Sequence, residues 1–453
     1  MRALLVAVLV SALGQSAPPR PNVIVVLVDD LGATDLGYAG SPFFRTPHID
    51  KLAAGGMTFT RAYSACTVCS PTRAALLTGK YPARLHVTDW IAGHKRPFAK
   101  LLPPDWTMHL AHEEVTVAEL LKKEGYATAS IGKWHLGDDK HAPETHGFDR
   151  NVAGTAKGSP PSYFSPYKLP TMADGPKGES LTERLTEEAV AFIRENREKP
   201  FFLYLPHYTV HTPLQAKPEV VEKYKASARP DAPQRNPVYA AMVESLDDSM
   251  GRLVAALEEL ALSEKTLVIF TSDNGGLMSS TTNLGLRAGK GSAWEGGVRV
   301  AGIASWPGTI KPGRRCDAPV ITMDWFATIA ELAGAKPPPT DGVSLAPLLT
   351  GRGDVPDRPL YWHYPHYHPG GATPYSAILD GGWRLVEFFE DGRLALHDLR
   401  EDPLEANDLA AAKPDKAREL RAKLEAWRRS VGAQMPVPNP AHDPAKDTPR
   451  SKN

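Results

Sequence analysis

The sequence predicts an α/β protein in which helices flank a large mixed, mostly parallel sheet, followed by a smaller antiparallel sheet with its own helix. Three observations carry this reading. The runs NVIVVLV (22–28), FFLYL (201–205) and TLVIFT (266–271) are continuously apolar or β-branched instead of alternating, which is the pattern of strands buried on both faces of a parallel sheet. Met242, Leu246, Met250, Leu253, Leu257 and Leu260 recur at helical spacing within 236–262, predicting an amphipathic helix that covers the sheet. Over 358–399, alternating stretches such as WRLVEF (383–388) and the turn Asp391-Gly392 predict a small antiparallel sheet, with a helix over 413–427 packed on it.

Size and composition agree and exclude other classes. The 453 residues, 42% of them hydrophobic, are enough for a large core plus a smaller unit. Lys plus Arg and Asp plus Glu are 52 each, so no global field favours nucleic acid or an acidic membrane, and anion recognition must be local. The 37 glycines and 42 prolines follow no period, which argues against a solenoid. Three cysteines do not make a disulfide scaffold; whether Cys66 and Cys316 pair is open.

Taken from the N-terminus, a basic Met1-Arg2, an apolar stretch over 3–13 and small residues Gly14, Ser16 and Ala17 have the pattern of a cleaved secretory signal over 1–16. The stretch is too short to span a bilayer, and no cysteine at the cleavage point supports a lipid anchor, so the expectation is an exported protein, periplasmic or extracellular. The expected units are a catalytic domain over 17–357, a subdomain over 358–432 and a flexible or surface-draped tail over 433–453.

The first buried strand ends in Asp29-Asp30. Two carboxylates at a strand's C-terminal edge are costly without a cation, and ligands of open α/β sheets bind at that edge; the alternative is an aspartate capping the next turn. The same grammar recurs where the 266–271 run reaches Asp273-Asn274 and a glycine turn, and together Asp29, Asp30, Asp273 and Asn274 form an all-oxygen set for a hard divalent cation.

Between them, Cys69-Ser70-Pro71-Thr72-Arg73 joins a nucleophilic sulfur to a proline and a fixed cation. The proline is expected to hold Cys69 and Ser70 extended or in a turn ahead of a helical run over 72–79, leaving Cys69 at a helix N-terminus where an anion is favoured. Cys66 and Cys69 as half a zinc site or a redox pair is disfavoured because only Cys316 remains; a buried structural cysteine is the other alternative. In the short strand leading to Gly132-Lys133-Trp134-His135-Leu136-Gly137, strand alternation would put Lys133 and His135 on one face. His211 stands beside a Thr-Pro turn, where a nearby anion would hold it protonated, and His207 is either structural or a support to a site residue. Lys290 crests the glycine-rich loop 286–299.

These motifs, in this order, resemble those of the type I sulfatases of the alkaline phosphatase superfamily: C-x-P-x-R at 69–73 followed by L-T-G-x-Y-P at 77–82, G-K-W-H-x-G at 132–137, His211, and G-K-x-x-x-x-E-G-G-x-R at 289–299. The resemblance covers nearly the whole mature chain. It implies an alkaline-phosphatase-like fold and conversion of Cys69 to formylglycine by a maturation enzyme. It also implies one Ca²⁺, or alternatively Mg²⁺, held by Asp29, Asp30, Asp273, Asn274 and residue 69. Lys133 and Lys290 would bind the sulfate, His135 would act on the residue-69 aldehyde hydrate, His211 would protonate the leaving alcohol, Arg73 would orient residue 69, and Glu295 and Arg299 would hold the loop. The implied substrate is a sulfated sugar or polysaccharide. The alternatives are a phosphoester or phosphonate hydrolase of the same fold, or a sulfated-glycan-binding protein without turnover. Asp89 and Trp90, close behind the nucleophile motif, are candidate pocket residues; His363, His366 and His368, lying among aromatics, either stack on a sugar or pack a loop.

Overall fold

A computed structural model describes residues 20–229 and 231–447, so the leader expected over 1–16 lies outside the described residues. The central sheet has eight strands, in the order Arg314–Cys316, Met57–Phe59, Gly302–Ser305, Thr266–Ser272, Asn22–Val28, Phe201–Pro206, Ala127–Ile131, Arg150–Val152. Asn22–Val28 runs parallel to both neighbours, and only Gly302–Ser305 is antiparallel to its own. The lack of alternation in the central strand has a direct cause. Ile24, Val26 and Val28 enter one core, and Val23, Val25 and Leu27 enter the other.

Helices Leu181–Glu195 and Pro237–Glu259 cover the first face with their apolar sides; Asn236 caps the latter through hydrogen bonds from Val238 N–H and Tyr239 N–H. Helices Cys69–Thr78 and Met323–Ala333 pack against each other on the second face. Strands Leu360–Tyr364, Tyr375–Asp380, Trp383–Phe388 and Leu394–Asp398 form an antiparallel sheet in sequence order, covered by helix Pro414–Ser430. Its core is continuous with Tyr63, Val68 and Ala75, so the smaller unit packs against the elements that carry the nucleophile motif.

Of the tail, Val437–Pro438 pairs with Leu101–Leu102, and Asn439 donates to the carbonyls of Pro97 and Ala99, so this segment is draped and anchored. All three cysteines are free and buried; Cys66 lies in the core shared with the smaller unit and Cys316 in that of the main sheet.

Two buried histidines make stability depend on acid. Burial pushes His207 and His363 from 6.5 down to about 4. With the folded value depressed, the stability they contribute is complete above the unfolded value and is lost as pH falls through the window from about 6.5 to about 4. The melting temperature is therefore expected to decline over that window, and His363→Gln to shrink the decline. An unchanged pH profile in the variant would contradict the assignment.

Candidate active site

Asp29 and Asp273 each leave the end of a parallel strand, and the strands pair up to Val28 against Ser272, which brings the two carboxylates to one level. Asp30 takes a left-handed backbone (φ 62°) and its N–H donates to Asp273 Oδ1 at 3.3 Å. Lys133 Nζ lies 2.6 Å from Asp29 Oδ2, and Lys290 Nζ lies 2.5 Å from Asp30 Oδ1, which Asn274 Nδ2 also reaches at 2.9 Å. Asp29 Oδ1, Asp30 Oδ2 and Asn274 Oδ1 are buried with no hydrogen-bond partner. Orphaned oxygens on neighbouring strand ends are the donors a hard divalent cation takes, so the residues fit the implied metal. Three carboxylates balance three cations, Lys133, Lys290 and Arg73. A divalent ion would leave two positive charges over, which matches an anionic substrate.

The helix begins at Cys69 itself, with Val68 as the extended cap, rather than after Ser70 as expected from the proline. Pro71 is tolerated because first-turn N–H groups have no helical partner, so its missing donor costs nothing there. Lys133 and His135 also converge by another route than strand alternation. The strand stops at Ile131; Gly132 turns at φ 128°, where a Cβ would sit 2.0 Å from Pro206 O, and His135 is itself left-handed at φ 57°.

This turn puts His135 Nδ1 3.4 Å from Cys69 Sγ. Nε2 of His135 faces the Ile91 carbonyl, which can only accept, so the proton is on Nε2 and the Nδ1 lone pair faces the sulfur. Burial, then Lys133, pushes its pKa well below the usual value, which keeps the ring neutral. Arg73 grips Asp273 Oδ2 with Nε and Nη2 at 3.0 and 2.6 Å and the Lys133 carbonyl at 2.9 Å. These bonds fix a carboxylate and the lysine turn.

His211 corrects a further expectation, that a nearby anion holds it protonated. Its Nε2 lies 3.7 Å from Asp30 Oδ2, but burial outweighs that attraction, and its pKa is pushed down to about 3. Nδ1 donates to the Thr212 carbonyl at 2.7 Å, leaving Nε2 bare toward the site. Asp29, Asp30 and His211 present ligand atoms within 4.8 Å of one another. Glu295 accepts two bonds from Arg299, which ties the end of the Lys290 loop. His207 meets Ser249 Oγ inside the core.

The pocket candidates divide. His363 is buried, bonded to Ser376 Oγ and the Gln434 carbonyl, and His366 is buried against Thr88 Oγ1 and the rings of Trp106 and Tyr364, so both are packing residues. Asp89 is also buried; it accepts from Tyr364 Oη at 2.6 Å, and burial pushes its pKa up to about 7. Trp90 and His368 stay half-buried. His368 Nδ1 accepts from Gly370 N–H, leaving its Nε2–H free to donate, and the ring packs on Gly291, next to Lys290. Sequence reasoning missed the Ile91 carbonyl that sets the His135 tautomer, and Tyr163, whose hydroxyl bonds the carbonyls of Tyr208 and His211. A backbone carbonyl carries no signal in residue identity.

Fold and site together define the class: a mostly parallel α/β protein whose buried carboxylates, lysines and arginine at the strand ends suit an anion and a hard cation. The sulfatase family model matches residues 21–335, and a model described as N-sulphoglucosamine sulphohydrolase, C-terminal, matches residues 289–430. Mouse (Mus musculus) steryl-sulfatase is 32% identical over 93% of this chain and 84% of its own length, and mouse N-acetylgalactosamine-6-sulfatase is 36% identical over 80% and 72%. The crystal structure of Ps i-CgsB in complex with k-i-k-neocarrahexaose superposes with a TM-score of 0.77 at 30% identity, covering 94% of this chain and 96% of that one. The chain belongs to the sulfatase family, and it is a sulfatase.

Proposed function

We propose that this sulfatase releases inorganic sulfate from a sulfated sugar or polysaccharide, with residue 69, matured from cysteine to formylglycine, as nucleophile and Ca²⁺, or alternatively Mg²⁺, as the metal. The observation that carries the mechanism is Cys69 Sγ at 3.4 Å from the bare Nδ1 of His135, at the first residue of a helix and beside the cation cluster.

When present, the hydrated aldehyde of formylglycine supplies a hydroxyl nucleophile, and the metal bound by Asp29, Asp30, Asp273, Asn274 and residue 69 supplies charge neutralisation at the ester oxygens. The chain's own residues do the rest. Lys133 and Lys290 bind the remaining sulfate oxygens, and Arg73 keeps Asp273 and the Lys133 turn in place. His135 Nδ1 accepts a proton from the side chain at 69. His211 Nε2 faces the leaving oxygen; it is unprotonated at rest, so it must take up a proton before it can deliver one to the alcohol.

The sugar is supported by the names of the relative and the structural neighbour that act on or bind saccharides, and by half-buried His368 beside the Lys290 loop. An exported location, with no membrane anchor, accords with the leader pattern; no helix among the described residues is long and apolar enough to cross a membrane.

The test is to coexpress the protein with a formylglycine-generating enzyme and measure free sulfate from sulfated mono- and oligosaccharides and a steryl sulfate, free phosphate from phosphate esters, and the released alcohol from phosphonate esters. Sulfate from a saccharide alone supports the reading. Sulfate only from the steryl ester, or product only from the phosphate or phosphonate esters, overturns it. Lys290→Ala is expected to lower kcat/KM about 10²- to 10³-fold with the circular-dichroism spectrum unchanged; parental turnover would remove Lys290 from the mechanism.

A further inference from the structure

The loop that carries Lys290 has no strand to fix it, yet its ammonium must hold an ångström-scale position. Near the crest, Lys290 N–H bonds the Gly276 carbonyl and Gly291 N–H the Thr67 carbonyl. The flanking limbs are fastened by the smaller C-terminal unit. Arg384, on the strand Trp383–Phe388 and fully buried, donates from Nη2 to the Ala293 carbonyl at 2.8 Å and from Nη1 to Glu295 Oε1 at 3.2 Å. Its Nε lies 3.2 Å from Glu405 Oε1 as an ion pair that is not aligned as a hydrogen bond. Glu405 in turn accepts the Glu295 N–H on Oε2 at 2.7 Å, and its own carbonyl accepts Arg287 Nη1 at 2.6 Å. Arg287 stacks 3.5 Å over Trp294. The bracket therefore grips residues 287, 293 and 295, on both sides of the lysine.

Buried ion pairs add little stability over well-packed apolar side chains, because desolvation consumes the Coulombic gain. What a planar, multiply bonded guanidinium supplies is geometry. We propose that Arg384, fixed by Glu405, is a positioning residue for Lys290, so that the C-terminal unit sets where the sulfate-binding ammonium stands. This rests on the reading of Lys290 as a sulfate ligand.

The experiment uses the matured full chain with Ca²⁺ and 4-nitrophenyl sulfate as probe. Arg384→Lys keeps the charge and loses the fork; Glu405→Gln keeps an acceptor for Glu295 N–H and loses the charge facing Arg384. Each is expected to lower kcat/KM by up to about 10²-fold, as a misplaced contact does, while the protein stays folded by circular dichroism. In a Lys290→Ala background the same changes are expected to cost less than about twofold, since the two residues act through the lysine. Equal losses in both backgrounds, or parental activity in both folded single variants, would overturn the positioning role. If one variant fails to fold, the other carries the comparison. Parental activity of Lys290→Ala alone overturns the lysine's role first and the proposal with it, which separates the two failures.

Discussion

Cys69→Ala is expected to abolish sulfate release, by about 10⁴-fold or more, while leaving the fold intact. The size follows from removing the thiol that the proposed maturation needs to make an aldehyde at residue 69, so no neighbour inherits the role. His135 Nδ1 faces the side chain at 69 and is placed for proton transfer, and Lys133 and Lys290 are engaged with carboxylates. The fold is spared for local reasons. Cys69 is a small buried residue in the first turn of a ten-residue helix, where alanine is a better helix former, and the lost contact is a single 3.4 Å approach to His135. Sulfate release by ion chromatography and a thermal melt on the same preparation check both halves. Turnover at the parental rate would sink the nucleophile assignment, and a collapsed melt would show Cys69 to be a core residue first.

Removal of the divalent metal by a chelator is expected to lower turnover by about 10²-fold or more, and readdition of Ca²⁺ to restore it. Lys133 and Lys290 lie 2.6 and 2.5 Å from Asp29 and Asp30, so a cation on those carboxylates would free ammonium charge for the substrate. With it, the carboxylates have a partner and the lysines have charge to spare. A readout independent of activity follows from the three orphaned oxygens: Ca²⁺ binding only the folded state raises the melting temperature with ion concentration. Asp30→Asn is expected to flatten that response. A melting temperature indifferent to Ca²⁺ and a chelator-resistant rate would together remove the metal from the site.

The central sheet was legible because its signal is local. Continuous β-branched runs say that both faces are buried, and the Val23 and Ile24 side chains do enter opposite cores. The carboxylate cluster was legible for a related reason, since an Asp-Asp pair and an Asp-Asn pair at the ends of two such runs suit a cation. Patterns of a few residues failed where longer-range contacts prevailed. Pro71 was expected to delay the helix, yet Cys69 opens it, because a first-turn residue has no N–H bond to lose. Strand alternation was expected to align Lys133 with His135, but the chain leaves the sheet at Ile131 and turns through Gly132 against Pro206. Three histidines among aromatics looked alike in the sequence, and only packing separates buried His363 and His366 from His368 beside the Lys290 loop.

What the sequence alone determined is the architecture and the inventory: which strands are buried, where the aspartates at their ends stand, and which sulfur, lysines and imidazoles accompany them. Tertiary structure decided the state of each group. Burial drives His211 to the neutral form despite Asp30 at 3.7 Å, the Ile91 carbonyl selects the His135 tautomer, and Arg384 and Glu405 fasten a loop about 90 residues or more away in the chain. Protonation, tautomer and loop position depend on the surrounding dielectric and on backbone groups from distant segments, none of which residue identity along the chain encodes.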